Sequence, residues 1–146
     1  PLIAMVLGIF FLAYPQAVWV PTVPNLLLAL VAVILAFTLR FMMQYTFAMM
    51  AFWTERASAL EDFWFLPYLF LSGMIAPLEV FPPAVQQVVG WLPFPYLIHF
   101  PASLLIGLPV NVPRSLLIML AWLAIAFLIN RWLWHRGLKH YSGMGA

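Results

Sequence analysis

The chain is written in long apolar runs separated by short clusters of proline, glycine and charge. Crossing the hydrocarbon core of a bilayer takes about 20 apolar residues as a helix, and only helices or closed barrels satisfy their own backbone groups there. These runs are too long and too unalternating for barrel strands. They predict an all-α, polytopic transmembrane helix bundle forming a single domain over residues 1–146.

The first run, Pro1 to Tyr14, is shorter than a full span, as expected if its beginning lies outside this sequence, and Pro15, Pro21 and Pro24 then mark a loop. The second stays apolar from Leu26 to Trp53, interrupted only by Thr38, Arg40, Gln44, Tyr45 and Thr46. Thr54-Glu55-Arg56 ends it. Ser58-Ala59-Leu60-Glu61 fits a capping box, in which each side chain satisfies a backbone donor at a helix start, so a third helix is predicted from there. It reaches Ile75 before Gly73 and Pro77 punctuate it, a short span with an irregular exit.

From Pro77 to Pro113 the sequence remains apolar, but Pro82, Pro83, Gly90, Pro93, Pro95, Pro101, Gly107 and Pro109 forbid one helix. Each interior proline costs about 3 kcal/mol, so two short half-helices fit better. Irregular backbone at membrane depth survives only against protein or a watery cavity, which predicts a proline-broken re-entrant or interfacial hairpin before the last spanning helix. Trp91, Phe94 and Tyr96 suit the headgroup level. The last run, Ser115 to Trp134, is a plain spanning helix with Pro113 near its start and Arg131, Arg136 and Lys139 towards its end.

Composition closes off the soluble classes: 66% of residues are hydrophobic and 7% charged, with a mean hydropathy of +1.06, whereas a soluble domain is about one-quarter charged. The absence of cysteine excludes disulfides and thiolate-held metals. A net charge of +2 spread over single basic residues argues against nucleic-acid binding. Basic residues collect on cytoplasmic ends, and here Arg56, Arg131, Arg136 and Lys139 share one side against Arg114 on the other. The C-terminus and the Thr54 to Asp62 loop are therefore expected in the cytoplasm, with the Pro77 to Pro113 stretch and the Pro15 to Asn25 loop outside.

Several ordered motifs carry a family likeness. Ala51-Phe52-Trp53-Thr54-Glu55-Arg56, then Phe70-Leu71-Ser72-Gly73-Met74-Ile75-Ala76-Pro77-Leu78 and Phe81-Pro82-Pro83, resemble the ABC-2 type permeases. Trp91-Leu92-Pro93-Phe94 with Tyr96, Phe100-Pro101 and Leu105-Ile106-Gly107 look like that family's extracellular re-entrant region, and Arg136-Gly137-Leu138-Lys139-His140-Tyr141-Ser142 like its C-terminal tail. The resemblance implies six spans per subunit, of which this chain looks like the last four, and a plasma-membrane permease that pairs with itself or a sister chain. It further implies cytoplasmic ABC ATPase subunits that hold ATP and Mg, with no cofactor in this chain, and work in export. Two other classes are kept beside it: a non-transporting scaffold subunit of a larger complex, and a membrane enzyme using Glu79 and His99 as an acid–base pair.

Arg40 is the basic residue well inside a spanning run, and Gln44, Phe47, Ala51 and Glu55 follow it on one helical face that should meet protein. A charge there costs at least about 2.5 kcal/mol, so Arg40 should pair, line a cavity or, the favoured reading, snorkel to the cytoplasmic surface. Arg40 and Gln44 are candidates for the translocation path or for packing beside it, as are Glu79 and His99 in the outer stretch; otherwise Glu79 is solvated and His99 bonds a freed carbonyl. Glu55, Arg56, Glu61 and Asp62 are candidates for contact with the motor subunit, or are simply solvated. Arg131, His135, Arg136, Lys139 and His140 suit anionic lipid headgroups. Met42-Met43 and Met49-Met50 read as packing, not a soft-metal path, and Ser58, Ser72, Ser103, Ser115 and Ser142 lack a paired base at readable spacing.

Overall fold

The computed structural model describes residues 22–54 and 57–142, together with Ile3, Met5, Gly8, Ile9 and Leu12. Most of the first apolar run and of the loop after it, including Pro15 and Pro21, lies outside the described residues, as do Glu55 and Arg56. The described chain is all-helical: α1 Val23–Met49, α2 Ala57–Leu71, α3 Pro83–Val89, α4 His99–Ile106 and α5 Val112–Ser142, with 3-10 turns at Met50–Phe52, Leu78–Val80 and Phe94–Tyr96.

Proline placement sets where these helices start. Pro24, read as part of a loop, sits in the first turn of α1, where its missing N–H would have no helical partner anyway. α5 likewise begins at Val112 with Pro113 in its first turn. It also runs past the expected end at Trp134 to Ser142, because the basic and leucine residues beyond are good helix formers and nothing but Gly137 interrupts them. α2 is already helical at Ala57, so Ser58 is not its N-cap. Its 15 residues reach about 22 Å, short of the roughly 30 Å hydrocarbon core. Pro67 inside it removes one helical bond.

Among the described residues two helices are long and apolar enough to cross a membrane, Val23–Phe52 and Val112–Lys139, and only 22% and 17% of their most apolar windows are buried inside the chain. The core helix of a soluble protein would be covered by its own fold. These two keep most of their apolar surface for lipid or for another subunit.

What α1 does bury is a stripe of small residues. Ala29, Ala32 and Ala36, spaced by three and four, point one face inward against Tyr96, Phe100 and Leu104 on the α4 side and Ile118 and Met119 of α5. Lipid tails are as apolar as leucine, so association rests on close packing, which alanine permits. Leu39 is fully buried next along the face, whereas Leu30, Ile34, Phe37 and Phe41 are exposed.

α1 and α5 run parallel: Thr46 meets Asn130, and further along Phe52 meets Trp134 with ring centroids 6.3 Å apart. At that end the edge of the Phe52 ring lies where a Cβ on Gly137 would be, so any larger residue there would force the ring or the helix to shift. α2 returns antiparallel beside α1, pairing Phe47 with Trp64 at 5.6 Å and Arg40 with Tyr68.

Candidate functional site

With charged residues so scarce, their placement is informative. Of six Lys and Arg and four Asp and Glu in the chain, Arg40, Glu61 and Asp62 line one cavity and Glu79 and Arg114 a second.

The first cavity, about 140 Å³, lies between α1 and α2 and is lined by Arg40, Met43, Gln44, Glu61, Asp62, Trp64, Phe65, Tyr68 and Leu97. The stripe of Arg40, Gln44 and Phe47 faces α2, as its spacing predicted. Of the options open to Arg40, the structure has pairing and cavity lining: its guanidinium stands 4.2 Å from the centre of the Tyr68 ring, a cation–π contact that offsets part of the lost hydration. Gln44 Nε2 donates to Glu61 Oε1 at 3.4 Å. Glu61 and Asp62 thus share a cavity with Arg40, although both stay exposed. Ala51, further along the stripe, is exposed.

The second cavity, about 580 Å³ and wide open, lies at the end of the bundle where α5 begins. Its walls come from the 3-10 turn at Leu78–Val80, from α3, from α4 and from the first turn of α5, and include Glu79, Gln86, Trp91, His99, Asn111 and Arg114. His99 Nε2 lies 3.6 Å from Glu79 Oε1, an ion pair when the imidazole is protonated. The pairing depends on the turn after α2. Gly73 has φ +83°, a left-handed conformation that glycine adopts without penalty, and a Cβ there would come within 3.1 Å of His99 Cβ. The next residue back is tied down too, because the His99 N–H donates to the Ser72 carbonyl at 3.1 Å. Arg114 stands over the Trp91 ring at 5.2 Å.

Between the cavities lies the turn joining α3 to α4. Its Leu97 lines the first cavity, and its Pro95 and Tyr96 line the second together with His99. Phe94 packs its ring 4.5 Å from Trp64, the Tyr96 hydroxyl donates to the Gly90 carbonyl at 2.6 Å, and Trp122 Nε1–H of α5 donates to the Trp91 carbonyl at 2.9 Å. Trp91, Phe94 and Tyr96, expected at the headgroup level, differ in how far protein covers them. Phe94 and Tyr96 are buried inside protein, because the prolines fold this turn into the bundle, and Trp91 alone is largely exposed.

One polar contact carries no obvious sequence pattern. Asn130, buried in the middle of α5, donates from Nδ2 to the Met42 carbonyl at 2.9 Å, and its Oδ1 lies 2.6 Å from the Thr46 hydroxyl. The available signal was a lone amide in an apolar span, a residue type that in lipid must find a partner. Among the described residues no group of three or more His, Asp or Glu side chains could hold a metal ion.

A family model described as "ABC-2 family transporter protein" matches residues 2–145. Comparison with curated proteins gives no match, and comparison with solved structures gives none.

Proposed function

The chain belongs to the ABC-2 family of transporter proteins and is a membrane permease subunit of an ABC transporter; from that premise we propose that it serves export, forming the path with a second permease, itself or a sister chain, above two ATPase subunits. ATP and Mg bind on those partners, and this chain contributes no catalytic group. It supplies the last four membrane segments of a six-span subunit, α2 among them shorter than a full crossing, with its C-terminus and the Thr54 to Asp62 connection cytoplasmic, the latter within reach of the motor.

The observation that carries this reading is the pair of cavities on either side of the α3–α4 turn, which between them gather Arg40, Glu61, Asp62, Glu79 and Arg114. Charges at membrane depth are costly and belong beside water-filled paths. The α3–α4 turn is the lid between them, re-entering the membrane from outside; its bond to Trp122, about 15 Å along α5 from Val112, supports that depth. Motor closure would move α1 and α2 and so the walls that Arg40, Gln44 and Glu61 provide.

Two measurements test the proposal. Purification of the full-length protein from its own membrane should bring down an ABC ATPase. Once a cargo is known, Arg40→Ala and Gln44→Ala should slow its transport without loss of assembly; unchanged rates would remove both residues from the path.

A further inference from the structure

α5 reveals its own membrane register. Arg131 follows Val112 by 19 positions, about 28 Å of helix, close to the thickness of a hydrocarbon core. If Val112 and the neighbouring Arg114 mark one interface, Arg131 and His135 mark the other. Beside them, between α1 and α5, is a groove of about 340 Å³ lined by Phe41, Tyr45, Phe127 and Trp134 with Met42 and Asn130, and bounded by Arg131 and His135. Its aromatic walls are exposed, from 40% for Tyr45 to 59% for Phe41.

We propose that this groove is a binding site for one anionic phospholipid of the leaflet at the basic end, with an acyl chain along the aromatic walls and the phosphate on Arg131 and His135. Charge complementarity decides the occupant. The two basic side chains sit one turn apart on the same face of α5, at the level where lipid phosphates lie, and among the described residues no carboxylate lines the groove. His135 Nδ1 lies 2.7 Å from the Arg131 carbonyl, so a proton there anchors the ring and leaves Nε2 for a partner outside the helix. In the imidazolium form that nitrogen donates to a phosphate oxygen. The Arg131 guanidinium has no ion pair or ring contact among the described residues, whereas Arg136, one step round the helix, lies over Trp132 at 5.3 Å. Towards the membrane centre the Phe41 and Tyr45 rings lie nearly parallel, 4° apart in plane with centroids 6.3 Å apart, and offer apolar surface to an extended hydrocarbon chain.

The site stands whether or not the chain exports anything, and its test does not involve transport. Full-length protein is reconstituted in nanodiscs of phosphatidylcholine mixed with phosphatidylglycerol, extracted gently, and weighed by native mass spectrometry to count retained lipids. One phosphatidylglycerol should be retained in preference to phosphatidylcholine. Arg131→Gln should lower that preference about fivefold, the worth of one basic residue near anionic lipid, while Arg136→Gln leaves it within about twofold. Equal retention of the two lipids by the parent protein would overturn the proposal. So would an equal loss in both variants, which would mean diffuse surface charge, or displacement of the lipid by glycerol phosphate alone, which would leave the acyl groove without a part.

Discussion

Replacing Thr46 by valine should destabilise the bundle more than replacing its partner Asn130 by leucine, and the reason is an asymmetry of donors. Asn130 Nδ2 donates to the Met42 carbonyl, and the Thr46 hydroxyl lies within reach of both Asn130 Oδ1 and that same carbonyl, at 2.6 and 2.9 Å. In Asn130→Leu the hydroxyl turns fully to Met42, no buried group is orphaned, and the loss is that of two interhelical hydrogen bonds. Such bonds average about 0.6 kcal/mol in membrane proteins, so a cost of about 1 kcal/mol is expected. In Thr46→Val the shape is kept but Asn130 Oδ1 is left buried without a donor, at about 1–3 kcal/mol. The double variant removes the orphan and should be no less stable than Thr46→Val alone, a coupling that simple additivity does not give. Equilibrium unfolding in mixed micelles, followed by tryptophan fluorescence, measures all three. The reasoning fails if Asn130→Leu proves the costlier single change, or if the two losses simply add.

Two further outcomes test the packing and the lid. Gly137→Ala puts a methyl group into the space of the Phe52 ring and should cost about 1–3 kcal/mol by overpacking, part of which Phe52→Leu in the same chain restores; a neutral Gly137→Ala would show that the helix ends are looser than described. Phe94→Ala deletes the ring packed at a tilt 4.5 Å from Trp64 and should make reconstituted vesicles leak small ions while the parent stays tight, so a variant that seals as well as the parent would count against the α3–α4 turn as a lid.

The sequence made the periodic features legible and left the long-range ones hidden. The face of Arg40, Gln44 and Phe47 could be read to meet protein because residues three and four apart share a helix surface, and all three do face α2. Prolines between Pro77 and Pro113 predicted two short helices, and α3 and α4 are there. Nothing local, however, told that Phe94 and Tyr96 point inward, since an aromatic residue at an interface and one in a core look alike until the turn that carries them is folded. The pairing of Asn130 with Thr46 was hidden for a different reason. It joins residues 84 positions apart, and no periodicity reaches across a connection of that length. α5 extends beyond the apolar run at both ends because apolarity stops at the membrane surface, whereas helix propensity does not.

The parallel run of α1 and α5 also bears on how the chain is made. Ribosomes add about 5–20 residues per second, so the 84 positions between Thr46 and Asn130 mean that α1 is complete roughly 4 to 17 seconds before its partner emerges. During that wait the part of the α1 surface that later packs on Ile118 and Met119, with the Thr46 hydroxyl, faces lipid or the insertion machinery. α1 must therefore enter the bilayer without α5, and a nascent chain halted before α5 would present quality-control proteases with a span whose side for Ile118 and Met119 is still bare.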